Sequence, residues 1–129
     1  MFKLKVGKMS AILLILMSVA LAVFGQLSLK KGMTEVGKIG VSDLFTSRIF
    51  SIIAEKFVFI GLLFYFAASG LWLVVLSQEE VSFAYPLIGL AYVFTAILAK
   101  IFFNENVTLF RMLGIFLIIG GAYLIILKI

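Results

Sequence analysis

An all-α fold that crosses a membrane four times is predicted by three observations. Four long blocks carry no charge, over 9–29, 57–78, 81–99 and 112–127, and the last extends back to Asn106 if Arg111 sits at the interface. Apolar residues make up 64% of the chain and charged residues 13%, which leaves no room for a soluble domain. Length supplies the third observation. A helix crosses a hydrocarbon core of roughly 30 Å in about 20 residues, whereas barrel strands would run about 10 residues with alternating character. Water is absent from the bilayer core, so every backbone polar group must be bonded internally, and a helix does this within one segment. The expected arrangement is a single membrane domain over 1–129, with spans at about 9–29, 57–77, 81–100 and 107–127.

The first span follows Lys3, Lys5 and Lys8 and has small residues, Ala20 and Ala22, near its end, which resembles a signal peptide. Its uncharged run exceeds an h-region of roughly 7 to 15 residues and three more spans follow, so it is expected to remain as a transmembrane helix. The connection from Lys30 to Lys56 is the one long link. Within it Leu44, Phe45, Ile49, Phe50, Ile52 and Ile53 alternate with Asp43, Ser47, Arg48 and Ser51 in the pattern of a short amphipathic helix in the headgroup region. That helix is placed at about 42–55 with Ser42 as its cap, the alternative being a loop packed on the other helices.

Spans two and three are joined by Ser77, Gln78, Glu79 and Glu80 alone, which demands a tight antiparallel hairpin. The two glutamates suit a solvated turn and the negatively charged start of a helix. Pro86, six residues into the third span, removes a backbone hydrogen bond and is expected either to kink the helix or to be tolerated near its start. Thr108 or Asn106 is expected to cap the fourth span. Glu105 is expected to pair with Arg111 or Lys100 in a structural role. Gly114 and Gly121 lie two turns apart on one face beside Gly120, a spacing that lets another helix approach closely.

Several chemistries are excluded. The chain has no cysteine and no histidine, which removes disulfides, a cysteine nucleophile, a conventional zinc site and histidine acid–base catalysis. No cofactor or metal is expected, and no enzyme activity. The net charge of +5 lies beside the spans and forms no basic domain, so the partner it implies is membrane lipid rather than nucleic acid. Lys3, Lys5, Lys8 and Lys128 fall on the side of the termini, and Lys30, Lys31, Lys38, Arg48, Lys56, Lys100 and Arg111 on the other, which leans weakly toward termini outside.

Polar side chains inside hydrocarbon are costly unless paired. Gln26 and Lys30 share one helix face, with Gly25 beside them and Lys31 next in line. An amide and an ammonium so placed form a cradle for a phosphate; the alternative is that Gln26 bonds to another helix and Lys30 snorkels. Ser82, Tyr85, Tyr92 and Thr95 fall on one face of the third span, either lining a polar cavity or bonding to neighbouring helices. Trp72, Tyr65 and the phenylalanines read as lipid-facing and packing residues.

These residues resemble a known family. Gly25-Gln26-Leu27-Ser28-Leu29-Lys30-Lys31-Gly32, Ser82-Phe83-Ala84-Tyr85-Pro86-Leu87, Phe102-Phe103-Asn104-Glu105 and Gly114-Ile115-Phe116-Leu117-Ile118-Ile119-Gly120-Gly121 are similar to four-helix members of the drug/metabolite transporter superfamily. Within it the chain resembles both small multidrug resistance exporters and small subunits of undecaprenyl-phosphate-aminoarabinose flippases. The first-helix glutamate of the exporters falls on Ala22 here and their third-helix tryptophan near Ile88, so the proton-coupled cation site does not carry over. The flippase resemblance implies a transporter subunit in a bacterial or archaeal plasma membrane that moves a polyprenyl-phosphate-linked sugar as a homodimer or heterodimer. In that reading Lys30 and Lys31 attract the phosphate, Gln26 bonds it, and Tyr85 and Tyr92 contact the headgroup. The rival readings are a small-molecule exporter with another coupling mode and an accessory protein whose fourth helix docks a larger partner.

Overall fold

A computed structural model describes residues 2–127, with side chains described from Ala11 onward; Lys128 and the side chains of Lys3, Lys5 and Lys8 lie outside it. Six helices, α1 (Phe2–Val36), α2 (Arg48–Ala54), α3 (Lys56–Gln78), α4 (Val81–Leu87), α5 (Leu90–Phe103) and α6 (Leu109–Ile126), build the fold. Among the described residues there is no strand. Four helices are long and apolar enough to cross a membrane: residues 11–36 of α1, α3, α4 with α5 as one span, and α6.

The first helix does not stop at the lysine pair. It continues to Val36, so that Lys30 and Lys31 are helical and the link to the second span is shorter than the charge pattern implied. Charges end a hydrophobic run without ending a helix; a backbone conformation does that. Gly37 supplies it, with φ +92° in the left-handed region and its N–H bonded to the Met33 carbonyl at 2.9 Å.

The amphipathic segment is helical in two pieces, a 3-10 turn at Val41–Phe45 and α2, instead of one helix over 42–55. Thr46 causes the break. Its backbone is extended, while its hydroxyl donates to the Asp43 carbonyl at 2.9 Å and accepts from the Arg48 N–H at 3.3 Å, offering the chain local bonds in place of helical ones. Ser42 is not the cap: Gly40 precedes the turn, and its N–H bonds to Asp43 Oδ2 at 2.8 Å. Ile52 is buried against the bundle, whereas Val41, Phe45 and Phe50 face outward, as a segment lying on a lipid surface requires.

Packing is concentrated between α1 and α3, which run antiparallel. They approach through glycine: a Cβ on Gly25 would stand 3.0 Å from the Gly61 carbonyl oxygen, and one on Gly61 would stand 2.7 Å from Leu29 Cγ. Two turns along α1 from Gly25, a Cβ on Gly32 would stand 2.6 Å from the Val58 backbone nitrogen. Ser18, the buried polar residue of this seam, donates to the Ala68 carbonyl at 3.0 Å, and Ser28 to the Phe57 carbonyl at 2.6 Å, so both hydroxyls are satisfied across the helix pair. Ile15, Val19, Val23, Val75, Ala84, Leu87 and Ala122 form the core, drawing on all four spans.

The third span is interrupted. The chain turns at Ile88 and Gly89 through shortened bonds: Ile88 to Tyr85 at 3.0 Å, Gly89 to Pro86 at 3.0 Å and Ala91 to Ile88 at 2.7 Å. Pro86 has no N–H for the Ser82 carbonyl, and its ring crowds that turn, which tightens the helix just beyond it. Thr108 caps α6 by accepting from the Arg111 N–H at 3.3 Å.

Candidate functional site

α1 and α3 meet at a crossing pinned by glycines, and beside that crossing α5 ends with Phe102 and Phe103. The three helices leave a groove of about 570 Å³. Leu27, Phe57, Ile60 and Phe64 give it apolar walls, and Phe102 and Phe103 close the α5 side. Its polar side chains all come from α1: Ser28, Lys31, Thr34 and Glu35. Two of these are engaged within the fold, since Ser28 is bonded to Phe57 and the Thr34 hydroxyl donates to the Lys30 carbonyl at 2.9 Å. The Lys31 ammonium lies 4.5 Å from the centroid of the Phe57 ring, a cation–π placement that holds it over the groove.

A second cavity of about 350 Å³ lies further along the same two helices, lined from α1 by Leu16, Val19, Ala20, Val23 and Phe24 and from α5 by Phe94 and Leu98. Leu16, Ala20, Val23, Leu27, Lys31 and Thr34 succeed one another at steps of three and four, and Phe94, Leu98 and Phe102 at steps of four, so each set occupies one helix face. The two cavities therefore succeed one another along α1 and α5, the first carrying the charged side chains and the second lined by apolar ones.

Of the residues expected to bind substrate, Lys31 alone lines the groove. Gln26 accepts a hydrogen bond from the Tyr65 hydroxyl across the α1–α3 pair, which is the helix-bonding alternative for that amide and gives Tyr65 a polar role beyond packing. Lys30 is turned outward, one helical step from the groove. Tyr85 and Tyr92 are not brought to Lys31. Phe102 sits beside Lys31, and at about 1.5 Å per residue Tyr92 and Tyr85 lie roughly 15 and 25 Å back along the same span. Both are exposed, at 68% and 63%, and Tyr85 packs edge-on against Trp72 at 6.2 Å.

The structural residues are also placed. Arg111 directs its guanidinium at the Asn106 carbonyl, 3.0 Å away, and among the described residues Glu105 makes no ion pair with it or with Lys100. The described ion pair is Arg48 with Asp43, at 3.6 Å. A Cβ on Gly114, Gly120 or Gly121 would meet nothing within 4 Å, so these three positions of α6 stand open.

Glu35 and Glu55 went unnoticed in the sequence. Glu55 Oε2 accepts from both the Phe57 and Val58 N–H groups at 2.9 Å, capping α3 where Gly32 passes. The signal was available: an acidic residue directly before a helical apolar run is a start signature. Glu35 lies four residues beyond Lys31, on the same face once the helix is carried past the lysines.

Comparison with known proteins agrees with this architecture. The sequence model of the EamA-like transporter family matches residues 2–127. A protein of Sodalis glossinidius named "Probable 4-amino-4-deoxy-L-arabinose-phosphoundecaprenol flippase subunit ArnF" is 37% identical over 85% of both chains. One of the same name from Proteus mirabilis is 34% identical over 84% of this chain and 85% of its own. A protein of Pseudomonas fluorescens named as the ArnE subunit is 39% identical over a shorter stretch, 42% of this chain and 47% of its own. No solved structure matches.

Proposed function

The chain belongs to the EamA-like transporter family, and we propose that it is a flippase subunit that carries a polyprenyl-phosphate-linked amino sugar across a bacterial inner membrane. The succession of these two cavities along α1 and α5 carries this reading. A lipid-linked sugar needs two environments at once, a polar one for its phosphate and sugar and an apolar one for its tail. The groove at Lys31 offers the first and the cavity between Leu16 and Phe94 the second. A charged headgroup in bare hydrocarbon is expensive, and an ammonium supplied by the protein offsets that cost through a charge-assisted hydrogen bond. The tail needs no such shelter. It stays in an apolar cavity while the headgroup moves.

Lys31 is the phosphate contact in this scheme, and Lys30, outside the groove, attracts anionic lipid to the surface. Gln26 and Tyr65 hold the α1–α3 pair together behind the site. The unit is a pair of four-span subunits. Relatives carry the names of two different flippase subunits, and the glycine face of α6 is open to a partner helix. A related chain is the partner that fits best.

Proteoliposomes containing the chain with its partner subunit and a fluorescent polyprenyl-phosphate aminopentose test the scheme. Lys31→Ala should lower the flipping rate about tenfold or more, the value of one charged hydrogen bond, while Lys30→Ala stays within about twofold, as for a solvent-screened cation. Equal effects of the two substitutions would remove the groove from the pathway.

A further inference from the structure

Glu35 is an exposed carboxylate that no structural contact accounts for. It occupies the last turn of α1, the negative end of the helix dipole, where an acidic side chain is disfavoured. It lines the groove, and among the described residues it accepts no hydrogen bond and joins no ion pair. Lys31 is one turn away, yet does not neutralise it. The order is the weaker one for a helical pair, with the lysine on the N-terminal side, and the Lys31 ammonium is held over the Phe57 ring. Ser28 and Thr34 bond within the fold. The groove therefore presents two side chains to a ligand, one cation and one anion, on adjacent turns.

A ligand that matches this pair carries an anion and a cation at the same spacing. Lys31 and Glu35 lie one helical turn apart on one face of α1, so a phosphate and an amine carried on one sugar ring can reach the two side chains together. The apolar cavity further along α1 and α5 takes a tail on the phosphate side.

We propose that Glu35 is a specificity-determining residue that binds the ammonium group of an aminated headgroup while Lys31 binds its phosphate. This deepens the flippase reading and rests on it. Glu35 selects the amine; Lys31 and the apolar cavity hold any polyprenyl phosphate. A sugar whose amine is acylated loses its charge and with it the contact to Glu35.

The full-length chain together with its partner subunit in lipid nanodiscs, titrated with three probes, separates the two statements. The probes are a polyprenyl-phosphate aminopentose, its N-formyl derivative and polyprenyl phosphate alone. The wild type should prefer the free amine over the formyl derivative by about tenfold, the value of one charged hydrogen bond. Glu35→Gln should abolish that preference without weakening the binding of polyprenyl phosphate, whereas Lys31→Gln should weaken all three. A wild type that binds all three probes equally, or a Glu35→Gln chain that keeps the preference, overturns the role of Glu35 and leaves the flippase reading standing. A wild type that binds none of them overturns both. Glu35→Asp retains the charge and should retain the preference, so a loss confined to Glu35→Gln is not a folding defect.

Discussion

Glycine has two opposite roles in this chain, and the surroundings of each Cα decide which. Gly25, Gly32 and Gly61 lie in the α1–α3 crossing, where a Cβ would run into backbone atoms of the facing helix or the Leu29 side chain. Gly61→Leu should therefore destabilise the chain by about 1–3 kcal/mol through overpacking, measured by reversible unfolding in mixed micelles. Gly121→Leu should leave that stability unchanged, since a Cβ there meets open space. The sequence pointed at the second set and passed over the first. Gly25 and Gly32 are seven apart, the same spacing that drew attention to Gly114 and Gly121, but spacing cannot say which face another helix will cover. The phosphate cradle divides in a similar way. Lys31 reaches the groove, and Gln26 bonds to Tyr65, because residues five positions apart on a helix point about 140° away from each other.

At the scale of the element, helix ends were less legible than helix interiors. Hydrophobic length placed four spans, but termini depend on local backbone and capping geometry. Gly37 ends α1, Glu55 starts α3 and Thr46 splits the amphipathic segment, each through a particular hydrogen bond. Glu55→Ala removes the acceptor for two N–H groups and should cost about 1 kcal/mol, with faster amide exchange at Phe57 and Val58. The break in the third span is a candidate hinge. Its shortened bonds at Ile88 to Tyr92 follow from Pro86, so Pro86→Ala should restore the bond to Ser82 and slow exchange at Gly89 to Tyr92. Unchanged exchange there would place the cause of the break in Gly89 instead, whose Cβ position stands 2.9 Å from the Pro86 carbonyl.

For the whole molecule, the outward faces matter as much as the core. A small set of buried residues joins the four spans, and large apolar side chains such as Phe66, Phe110 and Leu117 point away from the chain, as lipid or a second subunit requires. α6 is the most lightly packed span, with 6% of its apolar window buried. Energy transfer between labelled copies in vesicles should fall for the Gly114→Leu, Gly121→Leu double substitution when α6 is the contact with a second subunit, while the unfolding midpoint stays the same. Transfer that persists would move the contact to another span.

Composition and block length by themselves determined an all-α membrane protein of four spans. That follows because bilayer thickness and the need to satisfy backbone polar groups leave few solutions for uncharged runs of this length. The absence of histidine and cysteine, and of carboxylates inside the apolar blocks, narrowed the chemistry equally directly. Tertiary structure alone decided which polar residues share a site. It separated Tyr85 and Tyr92 from Lys31, tied Gln26 to Tyr65, and brought apolar walls from three helices around the Lys31 and Glu35 face of α1. The reason is physical: a helix face is written in the local sequence, but which faces meet, and what is left open between them, depends on close approaches such as Gly25 to Gly61 between residues distant along the chain.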